Sequence, residues 1–273
     1  MATQPSLVGY EVAHSIATIR LDRPEKLNAF TYGMIEEIRA TVRRATEDDS
    51  VIGIIITGSG RAFCAGLDTS DLARTASGNP PASRSSSSDP DELPALFGYI
   101  LRVPKPVVAA VNGVAAGGGF VLAMMCDLRF ASDAASFTTA FSRRGLIAEH
   151  GTSWLLPRLV GTSRALDLLW SARRIDAAEA YRMGFVDRIV APDRLIDEAS
   201  KYLLDLAANV SPRSLAVIKS QIYRHWSLAM EPALDDSFKV MNEALAHPDA
   251  TEGVASFVER RPPRFQKLGK GKF

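Results

Sequence analysis

Two loops of small residues carry the chemistry that this sequence makes available. One is Arg61-Ala62-Phe63-Cys64-Ala65-Gly66-Leu67-Asp68, and the other is Asn112-Gly113-Val114-Ala115-Ala116-Gly117-Gly118-Gly119. Backbone N–H groups approach a ligand only where no side chain intervenes, which favours glycine and alanine. The second loop runs into an apolar helical segment, so its amides sit at a helix N-terminus and carry partial positive charge. One N–H from each loop, aimed at a single point, forms an oxyanion hole. Each such donor contributes about 2.7–4 kcal/mol to a transition state that develops negative charge on oxygen. The same glycines also suit tight strand-to-helix packing, and neither loop alone separates the two readings. Nucleotide binding fits worse. Neither Gly58-Ser59-Gly60 nor the triplet at 117–119 completes G-x-G-x-x-G in register with a helix, and no P-loop lysine follows.

Other reactive side chains are not arranged for chemistry of their own. His14, His225 and His247 are scattered without a second ligand at metal spacing, so no metal is expected. Ser142 and Ser153 lack a recognisable His/Asp arrangement for nucleophilic catalysis. Cys64 and Cys126 lie in apolar surroundings with no disulfide framework, which points to a reduced, cytoplasmic location. The formal net charge of +1 gives no reason to expect nucleic acid or an anionic membrane as partner. With 47% hydrophobic and 23% charged residues, the 273-residue chain can bury a substantial core.

The elements that must hold the two loops can be read from periodicity. Tyr10 to Leu21 alternates loosely and predicts an opening strand or hairpin. Asn28 to Thr46 reads as a helix, with Met34, Ile35, Ile38 and Val42 on one face. Val51 to Thr57 and Pro106 to Val111 are short apolar runs closed by glycine turns, hence buried strands immediately before the loops. Phe120 to Cys126 reads as a short buried helix, and Asp127 to Ala131 as a further strand with Asp127 anchoring a loop. Val107 to Met125 approaches the length of a membrane span, but Asn112-Gly113 and the glycine triplet break it into strand, turn and helix. The serine- and proline-rich stretch 74–94 is a mobile insertion, either a surface loop or a wall of the active site. Asp176-x-x-Glu179 caps a short helix closed by Gly184, and Val186 to Val190 is a last strand. Four helices follow at 195–209, 212–227, 232–246 and 250–261, and the tail at 267–272 is basic and frayed. Alternating strands and helices predict an α/β fold with largely parallel pairing.

Taken together, the loop pair resembles the two signature segments of the enoyl-CoA hydratase/isomerase, or crotonase, family. The resemblance extends to Arg23-Pro24-Glu25-Lys26-Leu27-Asn28-Ala29, to Met124-Met125-Cys126-Asp127-Leu128-Arg129, to Leu155-x-Pro157-Arg158-Leu159, to the segment 177–186, and to Glu252-Gly253-x-x-Ser256-Phe257-x-Glu259-Arg260. It covers about residues 8–265. It implies a spiral of repeated ββα turns over 1–195 and a helical trimerisation region over 196–273, with trimers or hexamers in solution. The implied substrate is an acyl-CoA thioester whose enolate the oxyanion hole would stabilise, with coenzyme A entering as part of the substrate and no separate cofactor. Carried over by position, Ala65 and Gly118 would donate the oxyanion-hole amides. Lys26, Leu27, Ala29, Leu67 and Asp68 would lie along the CoA, and Phe257 and Arg260 would reach the CoA of a neighbouring subunit.

The resemblance also exposes a departure. At the positions of the two glutamates that hydratases of this family use, this chain has Val121 and Phe141, neither of which moves a proton. Both would instead line the acyl pocket. One acid remains nearby. Glu149 resembles, by position, a proton-transfer carboxylate of the family's dienoyl-CoA isomerases and the nucleophilic aspartate of its dehalogenases. In an apolar pocket, desolvation would raise its pKa toward the working range. Alternatively, it pairs structurally with Arg143, Arg144 or Arg158. His150, if it sits beside Glu149 on a strand, faces the opposite side. A single carboxylate suits double-bond isomerisation or a non-standard hydration. Two further readings are a nucleophilic hydrolase- or dehalogenase-like reaction through Glu149, and a catalytically silent acyl-CoA-binding protein.

Overall fold

A computed structural model describes residues 6–77, 93 and 95–269, with no side-chain description for 75 and 76. Most of the predicted insertion therefore lies outside the described residues. Its first three residues belong to a helix instead.

The chain opens with an antiparallel hairpin of β1 (Val8–Ala13) and β2 (Ile16–Leu21). Helix α1 (Tyr32–Glu47) starts later than periodicity predicts, because Thr31 is its N-cap and accepts from the Met34 amide at 3.1 Å. Its buried face is Met34, Ile35, Ile38, Val42 and Ala45. The strand pair β3 (Gly53–Gly58) and β4 (Ala62–Cys64) leads to α2 (Thr69–Ala76). Next come β5 (Val107–Val111), β6 (Val114–Ala116) and α3 (Gly118–Met125), then β7 (Leu128–Ser132) and β8 (Ser136–Thr138). Helices α4 (Thr152–Val160) and α5 (Thr162–Ser171) follow, then β9 (Ile175–Asp176), α6 (Ala177–Met183) and β10 (Arg188–Val190). Helices α7 (Leu195–Asn209), α8 (Pro212–His225), α9 (Met230–Leu245) and α10 (Pro248–Glu259) complete the described chain.

The strands form a six-stranded sheet, ordered β1-β2-β3-β5-β7-β10, and a four-stranded sheet, ordered β4-β6-β8-β9. From β3 to β8 the chain alternates between the two, one strand to each, and pairs in parallel with the strand of the preceding turn. That alternation is the expected spiral of ββα turns. β3 and β5 are buried on both faces, as a parallel sheet between covering layers requires. Ile54 and Ile56 face the main core, while Ile55, Val108 and Ala110 pack with Leu195, Ala199 and Leu203 of α7. The apolar stretch from Val107 to Met125 is thus strand, strand and helix, and no helix among the described residues is long and apolar enough to cross a membrane.

A half-buried polar link fixes α8 to the sheet. Lys219 Nζ lies 2.7 Å from Asp127 Oδ2 and also donates to the carbonyls of Ile100 and Lys105. Asp127 accepts from the Val107 amide at 2.8 Å and from the Tyr223 hydroxyl at 3.0 Å. Asp127 therefore does anchor the loop before β7. The basic tail expected to fray, 267–272, lies partly outside the described residues, and the chain just before it is held. The Arg264 amide donates to Glu252 and the Gln266 amide to Asp249, holding the chain against α10.

Candidate active site

The site begins with three segments stitched edge to edge. Pro24–Lys26 forms a 3-10 turn, and Leu27 and Asn28 follow in the left-handed region at φ 52° and 55°. Asn28 is fully buried. Its amide group donates to the carbonyls of Ser59 and Ala62, and its oxygen accepts from the Arg23 amide. Arg23 then reaches Asp68 at 2.9 Å and the carbonyl of Ala29. Bonds from the Ser70 hydroxyl and amide, together with Arg23, hold the Asp68 carboxyl down to about 2. Lys26, Leu27, Ala29, Leu67 and Asp68 are therefore gathered in one place, and Asp68 serves there as a tie between segments.

The first loop corrects one sequence assignment. The Ala65 amide donates to the Leu27 carbonyl at 3.0 Å, so that N–H is already spent on the fold. Phe30 and Leu67 form an isolated parallel bridge, in which the Phe30 amide donates to Gly66 and the Asp68 amide donates to Phe30. In that pattern the N–H of Leu67 points away from Phe30. Among the described residues it has no acceptor. Leu67, expected only as a CoA neighbour, is the donor that this loop leaves unpartnered. The resemblance, carried over by position, put the donor at Ala65, whereas the backbone pairing decides which amide is left over.

The second loop supplies the matching group. Gly117, at φ 50°, turns the chain into α3, whose first residue is Gly118. The Gly118 amide precedes any intrahelical acceptor and meets no capping side chain. The two loops touch. A Cβ on Gly66 would stand 2.8 Å from the Ala116 oxygen and 3.3 Å from the Gly118 nitrogen. A Cβ on Gly119 would lie 2.2 Å from the Cys64 oxygen. Glycine is required at both positions by the closeness of the opposing backbone. Beneath the loops, burial pushes the Cys64 thiol up and holds the Cys126 thiol at about 12, so neither is a ready nucleophile.

Val121 and Phe141 are both buried in the main core, as apolar residues there should be. Glu149 sits in the turn before α4. Its backbone carbonyl is pinned by the Thr152 amide at 3.1 Å and the Thr152 hydroxyl at 2.7 Å. Helix α4 packs on α3, and a Cβ on Gly151 would meet the Met125 methyl at 3.1 Å. Two expectations change here. The Glu149 side chain is about a third exposed, with relative accessibility 32%, not enclosed by apolar groups. His150 does not face away, because this is a turn and not a strand. Its φ of 54° brings Nε2 to 3.6 Å from Glu149 Oε2. The candidate arginines bond elsewhere: Arg143 to the Ser171 carbonyl, Arg144 to that of Ala140, and Arg158 to that of Trp154.

Phe257 and Arg260 are not brought to these loops within one chain. Phe257 is 84% exposed on α10, and Arg260 caps that helix in the left-handed region. Among the described residues no group of three or more His, Cys, Asp or Glu is placed to hold a metal. A 250 Å³ cavity bordered by Val51, Lys105 and Phe265 and a 550 Å³ hollow bordered by Tyr181, Arg188 and Glu198 take no residue from either loop.

Comparison with known proteins identifies the family. The family profile for enoyl-CoA hydratase/isomerase matches residues 11–268. The chain is 34% identical over 254 residues to 1,2-epoxyphenylacetyl-CoA isomerase of Escherichia coli K12, covering 93% of this chain and 96% of that protein. It is 36% identical over 258 residues to a probable enoyl-CoA hydratase of Rhodobacter capsulatus, covering 94% and 97%. The crystal structure of an enoyl-CoA hydratase subunit I from Geobacillus kaustophilus superposes with a TM-score of 0.83 at 34% identity, over 95% of this chain and 98% of that one. With its alternating two-sheet spiral and its pair of touching glycine loops, the chain belongs to the enoyl-CoA hydratase/isomerase family.

Proposed function

We propose that this enzyme stabilises the enolate of an acyl-CoA thioester with the amides of Leu67 and Gly118 and isomerises an enoyl double bond through Glu149. The observation that carries the reading is the pair of unpartnered amides on touching loops, with a single carboxylate in the turn beside α3. Isomerisation needs one group that removes a proton and returns it to another carbon. Hydration by the usual route needs two carboxylates, and Val121 and Phe141 occupy those places. The Escherichia coli relative, itself named as an isomerase of a CoA thioester, supports the same choice.

The proposed reaction begins with the thioester oxygen held between the two amides. Glu149 takes a proton from the α-carbon as the C–H electron pair moves into the thioester, and the proton is then delivered at the γ-carbon. With trans-3-hexenoyl-CoA in ¹⁸O-water, the expected product is the 2-enoyl isomer without heavy oxygen. Incubated instead with trans-2-hexenoyl-CoA, the enzyme should give no 3-hydroxyacyl product carrying ¹⁸O; such a product would show that it hydrates. A covalent acyl adduct at Glu149, seen by intact mass, would favour the nucleophilic reading. Binding without turnover would leave a silent acyl-CoA-binding protein.

The CoA contacts assigned to Phe257 and Arg260 make sense only if chains assemble, and the helical region offers a surface for that. Helix α9 buries no residue within the chain. Met230, Leu234, Phe238, Met241 and Leu245 form an exposed apolar stripe along it, continued on α10 by Val254, Phe257 and Val258. We infer a homotrimer, or a hexamer of paired trimers, joined through this surface. Light scattering should give a multiple of the single-chain mass for the wild type. Phe238→Glu combined with Met241→Glu should give the single-chain mass. A wild-type monomer would refute the assembly.

A further inference from the structure

We propose that Asn112 is a positioning residue for the reaction: with Asn28 it clasps the carbonyl of Ala62 and so sets the spacing between the amides of Leu67 and Gly118. The inference rests on the reading of those two amides as the oxyanion hole.

The strands beneath the two loops are poorly suited to set that spacing by themselves. β4 and β6 have three residues each, and their parallel register shifts between Ala62 and Cys64. A ladder so short and irregular leaves few backbone bonds to fix one loop against the other. The neighbouring β3–β5 ladder stops at Thr57 and Ala110. Beyond it, the Gly58 amide donates to Asn112 Oδ1 at 3.2 Å instead of to backbone. The Asn112 side chain thus extends the ladder into the turn that precedes β4.

The same side chain then holds that turn. Its Nδ2 donates to the carbonyl of Gly60 at 2.9 Å and to that of Ala62 at 3.1 Å. Asn28 arrives from the other side. Its Nδ2 donates to the carbonyls of Ser59 at 2.9 Å and Ala62 at 2.8 Å, and its Oδ1 accepts from the Arg23 amide at 2.8 Å. Each side-chain amide spends both donors and its oxygen on backbone. The two meet at the Ala62 carbonyl. A side chain at Gly58 or Gly113 would collide with the backbone of Ala62, so the close approach depends on both neighbours being glycine.

The clasp lies upstream of both amides along the chain. Ala62 leads through β4 to Leu67, and Asn112 leads through β6 to Gly118. Leu27, beside Asn28, accepts from the Ala65 amide and steadies the first loop from its far side. Asn28 is fully buried and also secures the turn assigned to the CoA, whereas Asn112 is half-buried and secures the loop pair. Loss of the Asn112 donors should therefore appear in kcat and not in affinity. Misplacement by about 1 Å costs on the order of a hundredfold in rate, and loss of one half of the clasp permits a fraction of that shift.

The test uses full-length enzyme and hexanoyl-CoA carrying ¹³C at the thioester carbonyl. Isotope-edited infrared difference spectroscopy reads the carbonyl stretch of the bound ligand, which falls as hydrogen bonds polarise the C=O. Asn112→Asp keeps the shape and the acceptor but removes both donors. Asn112→Ala removes the clasp without adding charge. For both variants we expect trans-3-hexenoyl-CoA isomerisation to lose about tenfold in kcat. Hexanoyl-CoA affinity by calorimetry should stay within about threefold, and the bound carbonyl band should move back toward its position in water. Gly161→Ala, whose methyl meets nothing within 4 Å, should keep the wild-type band. A wild-type band and kcat in Asn112→Ala would overturn the clasp and leave the oxyanion hole standing. So would a lowered kcat with an unmoved band. A band in the wild-type enzyme no lower than that of free hexanoyl-CoA would overturn the oxyanion hole and the clasp together.

Discussion

Replacing Glu149 with glutamine is expected to lower enoyl-CoA isomerisation by about a hundredfold or more, the usual cost of losing a general acid–base. Glutamine keeps the length and shape of the side chain but cannot accept a proton. The backbone of the turn should be unaffected, because Thr152 bonds to the Glu149 carbonyl and not to its carboxylate. With the side chain about a third exposed, the melting temperature should hardly move, as surface changes rarely exceed about 0.5 kcal/mol. Hexanoyl-CoA affinity, measured by calorimetry, should remain within a few-fold. Loss of turnover with retained binding is the signature of a missing proton carrier. Turnover equal to wild type would remove Glu149 from the mechanism.

A larger loss is expected for Gly66→Ala, about 10²–10³ in kcat if one amide donor is displaced. Gly66 has φ +97°, and its added methyl would sit 2.8 Å from the Ala116 oxygen and 3.3 Å from the Gly118 nitrogen. Both are backbone atoms, so the clash cannot be relieved by swinging a side chain. The two loops must separate, and the amides of Leu67 and Gly118 separate with them. Gly161→Ala provides the control. Its φ of +83° imposes similar backbone strain, but nothing lies within 4 Å of the new methyl. Gly161→Ala should lower the melting temperature and keep activity, whereas Gly66→Ala should lose activity even well below its own melting transition. Equal activity of the two variants would mean that the loop contact does not build the oxyanion site.

Ala65 shows how such an assignment is decided. The resemblance puts the donor there by position, yet its N–H is bonded to Leu27. One residue-pair register between Phe30 and Leu67 settles which amide remains. Nothing in the loop's composition encodes that register. It depends on Asn28, whose buried side chain fixes the turn from Arg23 to Ala29 against the β3–β4 connection. The pairing of Glu149 with His150 is similar. Neighbours on a strand would diverge, and only the left-handed backbone at His150 brings them together.

The elements that sequence reading missed have a common cause. Strands β4, β6, β8 and β9 are two or three residues long, too short to show a period, and they form because each turn of the spiral lays one beside the last. Helices α4 and α5 were likewise hidden by the internal Pro157 and the glycine at 161.

What the sequence determined by itself were the strongly patterned parts: the buried strands β3 and β5, the amphipathic α1, the C-terminal helices, and the two small-residue loops. It also determined the chemistry that is absent, since Val121 and Phe141 cannot move a proton in any fold. The tertiary structure alone decided which backbone amide stays unpaired and which side chains share a turn. Burial patterns and helix caps are set by residues close in the chain. Free N–H groups and paired side chains are set by contacts between segments that meet only after the spiral has closed.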